Sequence, residues 1–121
     1  MVDIWYIDKV IAGSGGGKVL GFPTINLNPE KFIGHLKEGV YYSLVMFKDK
    51  TYLGALYFGP RLIKEETKPI LEIYIFDFQK NIYGETVEFT IGQYIREARK
   101  FNSLSDLKDQ IKKDVEKIRT L

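Results

Sequence analysis

Apolar and aromatic residues fill the first three-quarters of the chain in short blocks, separated by glycine, asparagine and charged residues. The blocks "IWYIDKVIA" (4–12), "GVYYSLVMF" (39–47), "TYLGALYF" (51–58), "PILEIYIFDF" (69–78) and "ETVEFTIGQYI" (85–95) are rich in β-branched and aromatic residues. Such residues suit a pleated, half-buried backbone, so each block predicts a strand. The short link "KDK" predicts a hairpin between the second and third blocks, and "QKNIYG" predicts another between the fourth and fifth. Five or six short antiparallel strands with glycine-marked turns predict a small closed barrel, mainly β. Near the end the period changes. Leu104, Leu107, Ile111, Val115 and Ile118 recur at spacings of three and four, which makes one apolar stripe on a helix. Ser103 followed by Asp106 has the form of a helix start, and Lys108, Lys112, Lys113 and Lys117 fill the outward face. The helix is expected to pack on the barrel.

The fourth block carries a polar exception. Leu71, Ile73 and Ile75 fall on one face of the strand; Glu72, Tyr74, Phe76 and Phe78 fall on the other. A carboxylate in mid-strand among apolar residues is exposed, paired or functional. The bare pattern favours exposure.

Composition narrows the classes. The 121 residues, 45% hydrophobic and 14% aromatic, suit one folded domain spanning 1–121. There is no cysteine, and His35 is the single histidine, so thiolate chemistry and a polyhistidine zinc site are excluded. The N-terminal stretch has no apolar signal-peptide core, and no apolar run approaches the ~18 residues of a membrane span, so a cytoplasmic setting is expected. A net charge of +2 is low for a nucleic-acid binder.

Two adjacent stretches carry candidate chemistry. "GSGGGK" (13–18) fails the P-loop pattern, because Ala12 stands at its first glycine and Val19 at its Ser/Thr. Lys18 occupies the third glycine of GxGxxG. What remains is a bare backbone at Gly13, Gly15, Gly16 and Gly17 that can approach a ligand and form an anion nest, with Lys18 beside it; a plain surface turn is the other reading. In "GFPTINL" (21–27), Pro23 stiffens the entry and, if the chain is extended, Thr24 and Asn26 share one face. Their hard oxygens suit Mg²⁺. Hydrogen bonds from both side chains to the loop backbone are the alternative.

Together these stretches resemble the riboflavin kinase family over nearly the whole chain. "VIAGSGGGKVLGFPTINL" looks like the family's glycine-rich loop and GxPTxN signature, "GVYYSLV" (39–45) its GVY strand, "LEIYIFDF" with "IYG" (82–84) its ExHxxDF…YG stretch, and "YIREARKFNSLSDLKDQIKKD" (94–114) its ending. The chain departs from the family at 59–69, "GPRLIKEETKP", which lacks the second Pro–Thr element, and at Tyr74, where the family has histidine. The resemblance implies a six-stranded Greek-key barrel with a C-terminal helix. It also implies phosphoryl transfer from ATP to the 5′-hydroxyl of riboflavin, giving FMN and ADP. Thr24 and Asn26 match the residues that hold Mg²⁺ (Zn²⁺ is the other metal considered), and the 13–18 loop matches the flap over the ATP phosphates. Glu72 matches the base, and Arg96 and Phe101 lie in the segment that meets the flavin. A monomer without nucleic-acid or membrane partners is expected, without the adenylyltransferase domain that accompanies the kinase in bacterial relatives. A flavin- or nucleotide-binding barrel without catalysis is the alternative, and an oligonucleotide-binding barrel is a more distant one.

Overall fold

A computed structural model describes residues 4–13, 21–61 and 68–121. Seven strands form one antiparallel sheet: β1 (Trp5–Lys9), β2 (Ile25–Leu27), β3 (Gly39–Phe47), β4 (Lys50–Pro60), β5 (Pro69–Ile75), β6 (Thr86–Thr90) and β7 (Tyr94–Glu97). Among the described residues one α-helix, α1 (Leu104–Arg119), follows the strands, and a 3-10 turn, Glu30–Phe32, follows β2. The strands run β1-β6-β3-β4-β5-β2 across the sheet, with β7 on the free end of β3. Within that order β6-β3-β4-β5 is a Greek key, the fourth strand returning beside the first. The two ends of the sheet meet where the Ile11 N–H donates to the Asn26 carbonyl at 2.8 Å, so the sheet curls on itself.

The hairpin expected between 39–47 and 51–58 forms, with Phe47 opposite Lys50 and a two-residue turn at Lys48 and Asp49, both at positive φ. The second expected hairpin does not form. β5 pairs with β4 and β2, whereas β6 pairs with β1 and β3. Alternation and turn residues report that a strand exists and not which strand lies beside it. β5 stops at Ile75 because Asp77, at φ 58°, turns the chain away. Phe76 and Phe78 therefore do not extend the Glu72 face; Phe76 is buried at the turn and Phe78 packs against the core. The 85–95 block splits into β6 and β7, and the 4–12 block is a strand only to Lys9.

The core is the inside of the curl. Leu27, Val45, Leu56, Phe58, Leu71, Ile73, Val87 and Phe89 are all fully buried there, each at an alternate position of its strand. Helix α1 begins as the sequence indicates: Ser103 Oγ accepts the Asp106 N–H at 3.1 Å. It packs against β4. Its buried residues are Leu107, Asp114 and Ile118, while Leu104, placed on the expected stripe, is exposed.

Candidate active site

The outer face of the sheet carries the polar residues. Because directly opposed residues of paired strands point to the same face, register lines up a single row: Asn26 opposite Glu72, Glu72 opposite Tyr57, Tyr57 opposite Val40, and Val40 opposite Arg96. Four strand spacings separate its ends, ~19 Å along the sheet.

At one end Thr24 Oγ1 donates to Glu72 Oε2 at 3.0 Å, and Asn26 stands across from the same glutamate. Glu72 is partly buried and not the solvated residue that its strand pattern favours. Burial raises its carboxyl above the ordinary carboxylate value; the Thr24 hydrogen bond and the Arg61 charge pull it back down. Tyr57, next in the row, is buried with its hydroxyl donating to the Pro60 carbonyl at 2.5 Å. Burial and the Glu38 and Glu72 carboxylates hold its phenol well above the usual range, against the Arg96 charge.

The backbone of Gly13 lies against the Asn26 amide. A Cβ there would fall 1.9 Å from Asn26 Nδ2, so no other residue fits without moving Asn26. This close approach is the physical requirement for glycine at the loop's first position. Gly15, Gly16, Gly17 and Lys18 lie outside the described residues. Thr24, Asn26, Glu72 and Gly13 open together onto a cleft of about 630 Å³. Its lining also includes residues 10–12, Pro23, the core residues Ile25, Ile73 and Ile75, and residues 78–83. The cleft is thus lined by a hydroxyl, an amide and a carboxylate together with apolar side chains that include Phe78 and Ile82.

The donor set fits a hard divalent cation. Thr24 gives its proton to Glu72 and keeps its oxygen lone pairs, and Asn26 offers a carboxamide oxygen beside it. Two neutral oxygen donors suit an ion that keeps waters and phosphate oxygens as its other ligands.

Arg96 and Phe101 stand at the other end of the row. The Arg96 guanidinium lies 5.7 Å from the Phe101 ring centroid. The structure therefore joins Thr24, Asn26 and Glu72 in one group and sets Arg96 and Phe101 apart from it, three strands from Glu72. Sequence patterns miss Tyr57 and Asp114. Tyr57 shows as an ordinary strand aromatic. Asp114 had a legible signal: it sits three after Ile111 and four before Ile118, a charge on an otherwise apolar helix stripe.

Fold and site together make this a Greek-key β-sheet curled into a barrel, with an oxygen-lined cleft beside β2 and β5. The particular family follows from comparison: residues 3–121 match the family model described as Flavokinase, riboflavin kinase, and the chain belongs to the riboflavin kinase family. The RNA-binding riboflavin kinase RibR of Bacillus subtilis is 40% identical over 107 residues, 88% of this chain and 46% of that protein. A crystal structure of a Streptococcus pneumoniae protein described as a macrolide-efflux protein superposes with a TM-score of 0.82 at 30% identity, over 99% of this chain and 40% of that one. Riboflavin kinase from Trypanosoma brucei superposes with a TM-score of 0.67 at 28% identity, over 96% of this chain and 77% of that one. The chain spans less than half the length of the curated relatives it matches first. Among the described residues no helix is long and apolar enough to cross a membrane.

Proposed function

We propose that this chain transfers the γ-phosphoryl group of ATP to the 5′-hydroxyl of riboflavin, giving FMN and ADP. The observation that carries the reading is the Thr24–Glu72 hydrogen bond, with Asn26 opposite Glu72, in the lining of the cleft. Phosphoryl transfer asks for in-line positioning and charge neutralisation more than for covalent help. A divalent metal held by Thr24 and Asn26 would neutralise the phosphate oxygens. The hard-oxygen donors favour Mg²⁺ over Zn²⁺, which prefers nitrogen and sulfur. The Gly13 backbone, at the start of the glycine-rich stretch, lies against the same amide. The apolar walls at Val10, Ile11, Phe78 and Ile82 suit the nucleoside end of ATP.

Glu72 orients the riboflavin hydroxyl and takes its proton. A carboxylate raised by burial is a stronger acceptor than a solvated one, and Thr24 holds it in one orientation. From Glu72 the outer face runs past Tyr57 to Arg96 and Phe101, three strand spacings or ~14 Å away. That distance suits a ribityl chain ending in a three-ring isoalloxazine. In this reading the chain works in the cytoplasm, where ATP is supplied, as a monomer without a nucleic-acid partner.

The test is to incubate the protein with riboflavin and MgATP and to separate the flavins by chromatography. FMN and ADP are expected in equal amounts. Thr24→Ala and Asn26→Ala should each raise the Mg²⁺ concentration needed for half-maximal rate while circular dichroism shows the fold intact. Riboflavin bound but never phosphorylated would establish the binding-only barrel instead. Unchanged metal dependence in both variants would return Thr24 and Asn26 to a loop-capping role.

A further inference from the structure

Helix α1 carries a buried charge that the proposed chemistry does not use. Asp114 is 4% exposed. Its carboxylate accepts Arg96 Nε at 2.9 and 3.1 Å and Arg96 Nη2 at 2.9 Å, so the guanidinium fork is gripped along one edge. Arg96 Nη1 donates to the Glu97 carbonyl at 3.0 Å. One turn earlier on the helix, Gln110 Nε2 donates to the same carboxylate at 3.0 Å, and Gln110 Oε1 accepts from Arg99 Nη2. The Arg96 and Arg99 guanidinium groups lie 5.7 and 5.3 Å from the centroid of the Phe101 ring. A cation is drawn to the electron-rich face of an aromatic ring, so these contacts restrain the ring.

The connection runs one way through the molecule: from the helix, through one carboxylate and one amide, to two arginines, and from both arginines to one aromatic ring. The Arg96–Asp114 pair joins the helix to β7 of the sheet. The second arm, Gln110 to Arg99, adds no contact with the sheet. Beyond its bond to Asp114, its reach is residues 99–101, where it holds a long, exposed side chain that would otherwise sample many rotamers.

We infer that Asp114 and Gln110 are positioning residues for the flavin, acting through Arg96 and Arg99 to set Phe101 before substrate arrives. The inference rests on the proposed function, in which the 96–101 segment meets the isoalloxazine. A segment ordered in advance spares the ligand the entropy of ordering it, so loss of the network weakens riboflavin binding and leaves the phosphoryl step alone.

Steady-state kinetics of Gln110→Met, Asp114→Asn and Phe101→Ala test this, with riboflavin and MgATP varied in turn and melting temperatures recorded. Methionine keeps length and helix propensity and removes the amide. Gln110→Met should raise the riboflavin KM on the order of fivefold, the loss of about one hydrogen bond's worth of order. Its kcat and its ATP KM should match wild type, and its melting temperature should fall by no more than the loss of one hydrogen bond to Asp114 entails. Asp114→Asn should raise the riboflavin KM further and also lower the melting temperature, because it leaves Arg96 without its counter-charge. A wild-type riboflavin KM in Gln110→Met, when Phe101→Ala raises it, overturns the positioning role alone. A wild-type riboflavin KM in Phe101→Ala overturns the flavin reading of the segment. A rise in both KM values together with a loss of stability in Gln110→Met would make the network a general brace and also overturn the inference.

Discussion

Glu72 shows how one residue's environment sets both chemistry and cost. Burial disfavours its charged form, and the Thr24 hydrogen bond with the Arg61 charge only partly offsets this. A carboxyl whose folded pKa lies above its unfolded value favours folding only while it is protonated. Its contribution is fully present below the ordinary carboxylate pKa and is lost as pH rises through the raised folded value. Above that raised value the native state carries an ionised, partly desolvated carboxylate at a cost. Glu72→Gln should raise the melting temperature at pH 7, and the gain should vanish as pH falls below the ordinary carboxylate range. The same variant should lower kcat by about 10²–10⁴, the usual worth of a positioned general base. Thermal melts across pH and kcat at saturating riboflavin and MgATP read the two effects. A wild-type kcat would remove Glu72 from the proton step. An absent pH-dependent gain would show that its burial carries no cost.

Among the elements, helix α1 depends most plainly on local sequence. Its first turn is capped by Ser103, which accepts the Asp106 N–H and satisfies one of the donors that a helix start leaves open. Ser103→Ala should lower stability by about 1 kcal/mol, measured by urea unfolding. The apolar stripe was legible as a period, although Leu104 is exposed and Asp114 takes a buried place. The far end of the helix is tied separately: Arg119 stands over the Phe76 ring at 4.7 Å and pairs with Asp77 at the turn that ends β5. The helix is thus anchored at two places, one beside the cleft wall formed by Phe78 and one beside Phe101. The strands tell a more divided story. The β3–β4 hairpin was legible because its two-residue turn is a local signal. The partners of β5 and β6 were not, because ten residues and a positive-φ aspartate carry the chain across the barrel between them.

For the molecule as a whole, stability and site share one sheet. The inner face of β4 carries Leu56 and Phe58 into the core, and its outer face carries Tyr57 between Glu72 and Val40. Gly59 is required in the same strand: it sits at φ 152° and a Cβ there would fall 2.9 Å from Tyr57 Oη. Leu56→Ala should cost about 2–5 kcal/mol, a large share of the ~5–15 kcal/mol that holds a domain of this size together. Chemical denaturation measures it, and a loss under ~1 kcal/mol would mean that the core collapses around the gap. Because β4 is one rigid strand, any shift of its inner face moves Tyr57 and the row it belongs to.

Local sequence carried most of the strand stretches, the start of the helix, the apolar strand faces and, given an extended backbone, the shared face of Thr24 and Asn26 beside a glycine-rich stretch. All of these follow from backbone dihedrals and side-chain alternation within a few residues. Only the tertiary structure decided that Glu72 lies opposite Asn26, that Thr24 reaches its carboxylate, that Arg96 stands three strands away, and that Asp114 is buried against it. Those facts depend on which strands pair and in which register. Register comes from the sum of contacts between segments distant in sequence, and no local period records it.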